Sequence, residues 1–410
     1  MRLQDIGFYT LSDGRAATSS EKTPLWRAEV LLTDRCNFAC PYCRGLRADL
    51  RGDVPREELL RSLHLLSWFQ TKHYRFSGGE PTLYPHLIEA VSTAKKSGAS
   101  RIAISTNGSA PREAYDRLIE AGVDDFSVSL DACCASTGEK MCGVCGVWNK
   151  IIDNIRWISS KVYTTVGVVY SDTNKNELGD IISLAESLGV HDIRIIPAAQ
   201  YDSTLKVNPK TSKSFPILQY RLGNMNSGRP VRGLSEDDSR FCPLVLDDVA
   251  IAGGMHFPCI IYLRERGDPI GKIVPSMREE RKAWFETHDC YADRICRENC
   301  LDVCVDYNNK WLSLRSYAFP KMDSSLFDWT SWRLGSTFEE LFKRPLRWDF
   351  VRTDEHFRAS IKALAIGWCN GDEVPCRPKP NTMAVMFETP NGNAWIHLRK
   401  SEFFKIFGSI

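Results

Sequence analysis

The sequence predicts an α/β fold built on a parallel sheet, and three observations carry that prediction. Between residues 26 and 204, short β-branched or apolar runs alternate with helix-patterned stretches, six times in all. The best of the helical stretches open on Pro or acidic residues and repeat Leu at three- and four-residue spacing. The Cys-, Gly- and Ser-bearing motifs of this half each fall at the C-terminal end of a strand-like run. Such alternation implies parallel strands joined by right-handed crossovers. Six units are too few for a closed eight-stranded barrel, so the expected architecture is a partial (β/α)6 barrel, with chemistry placed where strands end.

Taken in order, residues 1–25 are rich in Ser, Thr, Gly and charge and read as a lead-in with one strand at most. Ala28–Thr33 is the first strand-like run, followed by a cysteine loop. Pro55-Arg56-Glu57-Glu58 then opens a helix, with acids where the helix dipole favours them and Leu59, Leu60, Leu63 and Leu66 forming its apolar stripe. His73–Ser77, Arg101–Ser105, Asp125–Ser129, Val162–Tyr170 and Asp192–Ile196 read as the next five strands. Helices are expected around Pro85–Ser97, Pro111–Ala121, Trp148–Ser160 and Asn176–Leu188, the last closed by Gly189. Residues 205–235 carry Pro, Gly and Asn punctuation and read as a loop-rich connection inside an auxiliary region, 205–310. In the last region, 311–410, Thr337–Phe342 is patterned as a helix. Met383–Glu388 and Ala394–Leu398 flank an Asn391-Gly392 turn signal, the mark of a hairpin in a small α+β unit.

Cys36, Cys40 and Cys43 are spaced C-x3-C-x2-C. Thiolates are the preferred ligands of iron–sulfur clusters, and three of them on a four-iron cube leave one iron open. A structural zinc site is the competing reading, but it closes with four protein ligands and nothing nearby in sequence offers the fourth.

The loop Asp34-Arg35-Cys36-Asn37-Phe38 … Pro41-Tyr42-Cys43 resembles the cluster loop of radical S-adenosylmethionine (SAM) enzymes. Ser77-Gly78-Gly79-Glu80-Pro81, Ser105-Thr106-Asn107-Gly108 and Ser127-Val128-Ser129-Leu130-Asp131 follow in the order seen in relatives of the molybdenum-cofactor GTP cyclase and of peptide-modifying enzymes. The resemblance implies a 4Fe–4S cluster on the three cysteines whose fourth iron takes the amino and carboxylate groups of SAM. It also implies cofactor-binding roles for Tyr42 near the adenine, for Gly78, Gly79 and Glu80 at the methionine end, and for Ser105, Thr106, Asn107, Ser129 and the backbone near Ile196. An isolated Gly-Gly would otherwise read as a plain turn, and Ser105–Asn107 as a helix cap.

A second cysteine set, Cys242, Cys259, Cys290, Cys296, Cys300 and Cys304, resembles the auxiliary-cluster region called SPASM or its shorter form, twitch. It departs from SPASM at Thr287, where a cysteine is expected, and Cys242, Cys259, Cys296 and Cys300 form the best single-cluster set. Zinc is the alternative occupant. Cys133, Cys134, Cys142 and Cys145 form a third group, read as reduced loop thiols with a substrate-side role as the alternative. No histidine pairs with another at ligand spacing.

A formal charge of +2 gives no case for nucleic acid or a membrane surface, and no apolar run is long enough to span a bilayer. The polar start lacks the apolar stretch of a signal peptide, so the cytoplasm is expected and fifteen cysteines point to metal or catalytic thiols rather than disulfides. The function expected is hydrogen abstraction by a radical SAM enzyme, an oxidoreductase or related activity, on a peptide or protein side chain. A small molecule or nucleotide is the alternative substrate, and Arg75 matches a substrate residue of the cyclase. The resemblance further implies one or more auxiliary 4Fe–4S clusters and an electron donor such as flavodoxin or ferredoxin. From another class, the chain reads as a non-catalytic iron–sulfur or zinc protein that binds a partner.

Overall fold

The computed structural model describes residues 13–316, apart from 47, 51, 200–210 and 212, and three strands at 365–366, 382–389 and 392–399. The six expected strands are present: β1 (Arg27–Leu31), β2 (His73–Ser77), β3 (Arg101–Thr106), β4 (Asp125–Ser129), β5 (Tyr163–Tyr170) and β6 (Asp192–Pro197). All are parallel and pair in sequence order. A helix α1 (Asp13–Thr18) precedes them. Between them run α2 (Arg56–Trp68), α3 (Leu87–Lys96), α4 (Arg112–Glu120), α5 (Ala135–Cys142), α6 (Trp148–Ser159) and α7 (Leu178–Ser187).

Strands buried on both faces normally read as continuous apolar runs. These do not, because only one face packs into the apolar core while the other lines cavities. Side chains alternate across a strand. Ala28 and Val30, Tyr74 and Phe76, Ile102 and Ile104, Phe126 and Val128, Val166 and Val168, and Ile193 and Ile195 all join one apolar core. That core takes in Leu59, Leu63 and Leu66 of α2 and Leu87, Ala90, Val91 and Ala94 of α3. The alternate residues, among them Arg27, Glu29, Arg75, Ser77, Ser105, Ser129 and Arg194, line cavities on the other face. Truncating a core leucine such as Leu63 would cost about 2–5 kcal/mol.

Beyond residue 212 the chain departs from expectation. The stretch read as a loop-rich connection contains α8 (Pro216–Asn226), opened by Pro at its first turn and capped by the Asp192 carboxylate, which accepts from the amides of Ile217 (3.1 Å) and Leu218 (3.4 Å). A cap supplied from twenty-five residues away leaves no local mark. The expected boundary at residue 204 is no break in the sheet. Strand β7 (Asp248–Ala252) lies parallel beside β1, and β8 (Met255–Phe257) follows it antiparallel. After α9 (Ile260–Arg264), β9 (Gly271–Lys272) completes a nine-stranded sheet of order β6-β5-β4-β3-β2-β1-β7-β8-β9 among the described residues. The sheet is open at both ends, a partial barrel rather than a closed one.

Three helices, α10 (Met277–Thr287), α11 (Arg294–Asn299) and α12 (Asp302–Ser316), follow. The described part of the lead-in, residues 13–25, carries the helix α1 and no strand, fixed by tertiary packing. Its Ala16 is buried with Tyr307 and Trp311 of α12, and Arg15 pairs with Asp247. The C-terminal hairpin is present as β11 (Thr382–Thr389) and β12 (Gly392–Arg399), with β10 (Ala365–Ile366) paired to β11. The helix expected at 337–342 lies outside the described residues. Among the described residues, no helix is long and apolar enough to cross a membrane.

Candidate functional site

The loop after β1 carries Cys36, Cys40 and Cys43, and its shape is fixed by neighbours on both sides. The Gly78-Gly79 turn after β2 presses directly against it. The Gly79 amide donates to the Thr33 carbonyl (2.7 Å) and the Glu80 amide to that of Arg35 (2.8 Å). A Cβ on Gly79 would sit 2.2 Å from the Arg35 carbonyl oxygen, and one on Gly78, at φ +146°, 2.3 Å from that of Thr33. The two glycines are therefore required where backbone meets backbone, a reason added to the ligand approach expected from sequence. On the other side the Ala39 amide donates to the Cys142 carbonyl (2.9 Å). Below, Arg35 forks onto Asp53 (2.8 Å) and reaches the Leu83 carbonyl (2.7 Å).

Glu80 does not line the cavity. It is fully buried beneath it, and its carboxylate accepts from the amide and hydroxyl of Thr82 (3.0 and 2.6 Å), the Thr106 hydroxyl (2.8 Å) and the Asn107 amide (2.7 Å). Burial raises its pKa against those four donors. Glu80 thus ties the turn after β2 to the end of β3, a supporting position rather than the ligand contact expected. Asn107 continues the brace by donating its side-chain amide to the Asn37 Oδ1 (2.8 Å), and the Asn37 Nδ2 donates to the Ser109 hydroxyl (2.8 Å).

The result is a cavity of about 250 Å³ lined by Cys36, Cys40 and Cys43 together with Gly78 and Gly79. Ser105, Thr106, Asn107, Ser129 and Tyr42 also reach it. Tyr42 donates its hydroxyl to the buried Asp131 carboxylate, which also accepts from the Val169 amide (2.6 Å) and is pushed up to about 6 by burial. The far wall was not legible in sequence. It is apolar, with Met141 of α5 and Val147, Trp148 and Ile151 at or in α6. Cys142 stands there too, its thiol directed to the Val144 carbonyl (3.2 Å), so the third cysteine group is divided. Cys133 and Cys134 lie elsewhere, beside Glu177.

Ile196 does not join this cavity. It lines an adjoining one of about 180 Å³ with Arg27, Arg44, Arg75, Arg194, Arg221 and Arg264, against the carboxylates Glu29 and Asp248. Glu29, Ser105 and Arg264 line both. Arg27 pairs with Asp248 as the register of β1 on β7 dictates, and Arg264 donates to the Gly78 carbonyl (2.7 Å). Burial pulls Arg75 down to about 9, with the Glu29 carboxylate working against the shift. The Arg-rich lining was missed in sequence because its members come from five separate elements and one loop.

The second cysteine set converges completely. All six, Cys242, Cys259, Cys290, Cys296, Cys300 and Cys304, line one small cavity of about 30 Å³. Cys259 and Cys304 also line the arginine cavity. His288, which sequence reasoning passed over, brings Nε2 to 3.7 Å from the Cys296 thiol and groups with Cys290 and Cys296. The His-x-Cys spacing at 288–290 was the available signal.

Both thiol groups suit a soft metal group. The first offers three thiols lining one cavity, on a loop held by backbone hydrogen bonds against glycines that leave no room for a Cβ. Burial raises the Cys36 and Cys40 thiols above their ordinary value, so a metal would displace protons on binding.

Residues 30–185 match the family model described as the radical SAM superfamily. A probable GTP 3′,8-cyclase from Saccharolobus islandicus is 30% identical over 178 residues, which cover 42% of this chain and 57% of that one. One from Metallosphaera sedula is 29% identical, with 42% and 56% covered. The chain thus spans a little over half the length of these curated relatives. Among solved structures, Streptococcus suis SuiB bound to S-adenosylmethionine superposes at a TM-score of 0.47 with 14% identity, over 65% of this chain and 66% of that one. The cysteine loop, the Gly-Gly turn and the strand-end polar residues all fall within the matched span: the chain carries a radical SAM domain.

Proposed function

We propose that this protein is an enzyme that cleaves SAM reductively at the first cavity and takes a hydrogen atom from a substrate held in the adjoining one. Cys36, Cys40 and Cys43 would hold a 4Fe–4S cluster. When bound, cluster and SAM supply a one-electron cleavage of a carbon–sulfur bond and a 5′-deoxyadenosyl radical. The chain's own residues do the rest. The Gly78-Gly79 turn and Asn107 hold the loop, Ser105, Ser129 and Tyr42 present polar groups to SAM, and the Met141–Trp148 wall excludes water from a reactive species. The observation that carries this reading is that the two cavities adjoin, sharing Glu29, Ser105 and Arg264.

The six-cysteine cavity would hold an auxiliary iron–sulfur cluster bordering the substrate through Cys259 and Cys304, with a flavodoxin- or ferredoxin-like donor supplying electrons. That cysteine-rich region supports a peptide or protein side chain as substrate. A small anionic molecule is favoured by a specific observation, the six arginines lining a cavity of about 180 Å³. It agrees with relatives named for GTP, itself an anion.

The test is anaerobic reconstitution with SAM and dithionite. Wild type is expected to form 5′-deoxyadenosine, and Cys40→Ala to lose that product while keeping iron at the six-cysteine site. A fully iron-loaded wild type that forms none would favour a non-catalytic iron–sulfur protein.

A further inference from the structure

Cys133 and Cys134 follow β4 but line none of the three cavities, and nothing in the proposed chemistry uses them. Their Sγ atoms and a carboxylate oxygen of Glu177 lie within 4.8 Å of one another. The Cys133 thiol stands 3.3 Å from Glu177 Oε2, although 44 residues separate them in sequence. Glu177 closes the short 3-10 turn Lys175–Glu177 that leads into α7. Two features hold this group together. The Thr137 hydroxyl of α5 donates to Glu177 Oε1 (2.6 Å), which orients the carboxylate and leaves Oε2 to the thiols. Buried Asn174 donates to the carbonyls of Asp131 (2.7 Å) and Val169 (2.9 Å), and its own carbonyl accepts from the Glu177 amide (2.9 Å). The loop after β4 is thus fixed to the turn before α7. Among the described residues Glu177 has no ion pair, and a hydroxyl and a thiol are its side-chain donors.

We infer that Cys133, Cys134 and Glu177 hold a zinc ion, with its fourth position open to solvent on the exposed side of Cys134. Sulfur and oxygen ligands at about 2.0–2.3 Å on a tetrahedral zinc lie about 3.5–3.8 Å apart, a spacing this group reaches through small side-chain movements. Two thiolates and a carboxylate suit zinc rather than magnesium or calcium, which take oxygen ligands. A disulfide is the poorer use of the pair. Adjacent Cα atoms are about 3.8 Å apart, closer than the roughly 4.4–6.8 Å of an ordinary disulfide. The ion ties the start of α5 to the turn before α7, and α5 carries Met141 and Cys142 into the wall of the SAM cavity. This assignment does not rest on the radical reading.

The test is alkylation of the full-length, iron-loaded protein under anaerobic conditions, with and without buffered micromolar free zinc. Iodoacetamide labelling is read cysteine by cysteine by mass spectrometry, so zinc taken up at other thiols does not confuse the result. A bound ion slows labelling of its own ligands in proportion to occupancy. In wild type, zinc is expected to slow labelling of Cys134 roughly tenfold and to leave that of exposed Cys145 unchanged. Glu177→Gln, which keeps the shape and removes the charge, should cut the protection to threefold or less. Cys133→Ser should do the same. Labelling of buried Cys142 serves as the folding control, and if Glu177→Gln exposes it, Cys133→Ser carries the test. No protection at micromolar zinc, protection that both variants keep, or equal protection of Cys134 and Cys145 would overturn the inference. The 5′-deoxyadenosine assay is independent of every one of these outcomes.

Discussion

Replacing Gly79 by alanine tests how the cluster loop is held. The new Cβ would lie 2.2 Å from the Arg35 carbonyl oxygen, 2.6 Å from that of Asp34 and 2.7 Å from the Arg35 carbonyl carbon. These are backbone atoms, so the strain is not relieved by a rotamer change. The loop must move, and the bonds from the Gly79 and Glu80 amides go with it. Overpacking of this kind costs about 1–3 kcal/mol, and two backbone hydrogen bonds add about 1 kcal/mol each. The sum, about 3–5 kcal/mol, is a large share of a typical stability of about 5–15 kcal/mol. Urea denaturation of the metal-free protein should show that loss. Iron after anaerobic reconstitution should fall by the first cluster's share, leaving the second site loaded. Gly179→Ala, in α7 with nothing within 4 Å of the new Cβ, is the control and should stabilise by up to about 1 kcal/mol. A Gly79→Ala protein with wild-type stability and iron content would refute the reasoning.

Other outcomes follow from buried charge. His256, fully buried between Glu280 (3.0 Å) and Arg281 (3.2 Å), is lowered to about 4 by burial and by the Arg281 charge. Its folded value lies below the ordinary 6.5, so the stability it contributes is present above pH 6.5 and is lost as pH falls toward 4. By pH 5 the loss is about 2 kcal/mol, and His256→Gln should flatten the dependence of the urea midpoint on pH by that amount. Asp302→Ala strands the buried Arg221 guanidinium (side chains 0% and 1% exposed) and should cost about 3–5 kcal/mol in the same assay. Cys134 is exposed, and hydrogen bonds from Ser136 and Thr137 lower it to about 7. Iodoacetamide should therefore modify it before buried Cys142, with a rate that rises through pH 7; equal labelling of the two by mass spectrometry would contradict this.

The parts of this protein written in consecutive residues were legible. The strand-end motifs at Cys36–Cys43, Ser77–Pro81, Ser105–Gly108 and Ser127–Asp131 meet at one cavity because parallel strands bring their C-terminal ends together. Reading Glu80 as a ligand failed because its neighbours Thr82, Thr106 and Asn107 consume the carboxylate, which only the packed fold reveals. The arginine cavity failed for the same reason. Arg27, Arg75 and Arg194 each look like an irregularity in a strand until pleating and register place them on one face. The backbone near Ile196 was expected at the SAM site from the family resemblance, but Ile196 lines the arginine cavity. The helix α8 and strand β7 went unread because Asp192 and β1 stabilise them from far along the chain. Convergence of the six later cysteines was foreseen in kind; that all six share one cavity, with His288 at its edge, depends on how α9, α11 and α12 pack.

Electron paramagnetic resonance of the dithionite-reduced protein, recorded before and after SAM is added, asks most directly whether Cys36, Cys40 and Cys43 hold a cluster with an iron open to SAM. Wild type should show a reduced-cluster signal that SAM alters, and the triple variant with alanine at these three positions should keep only a residual signal that SAM leaves unchanged. A wild-type spectrum indifferent to SAM, or a triple variant that responds as wild type does, would contradict the central claim.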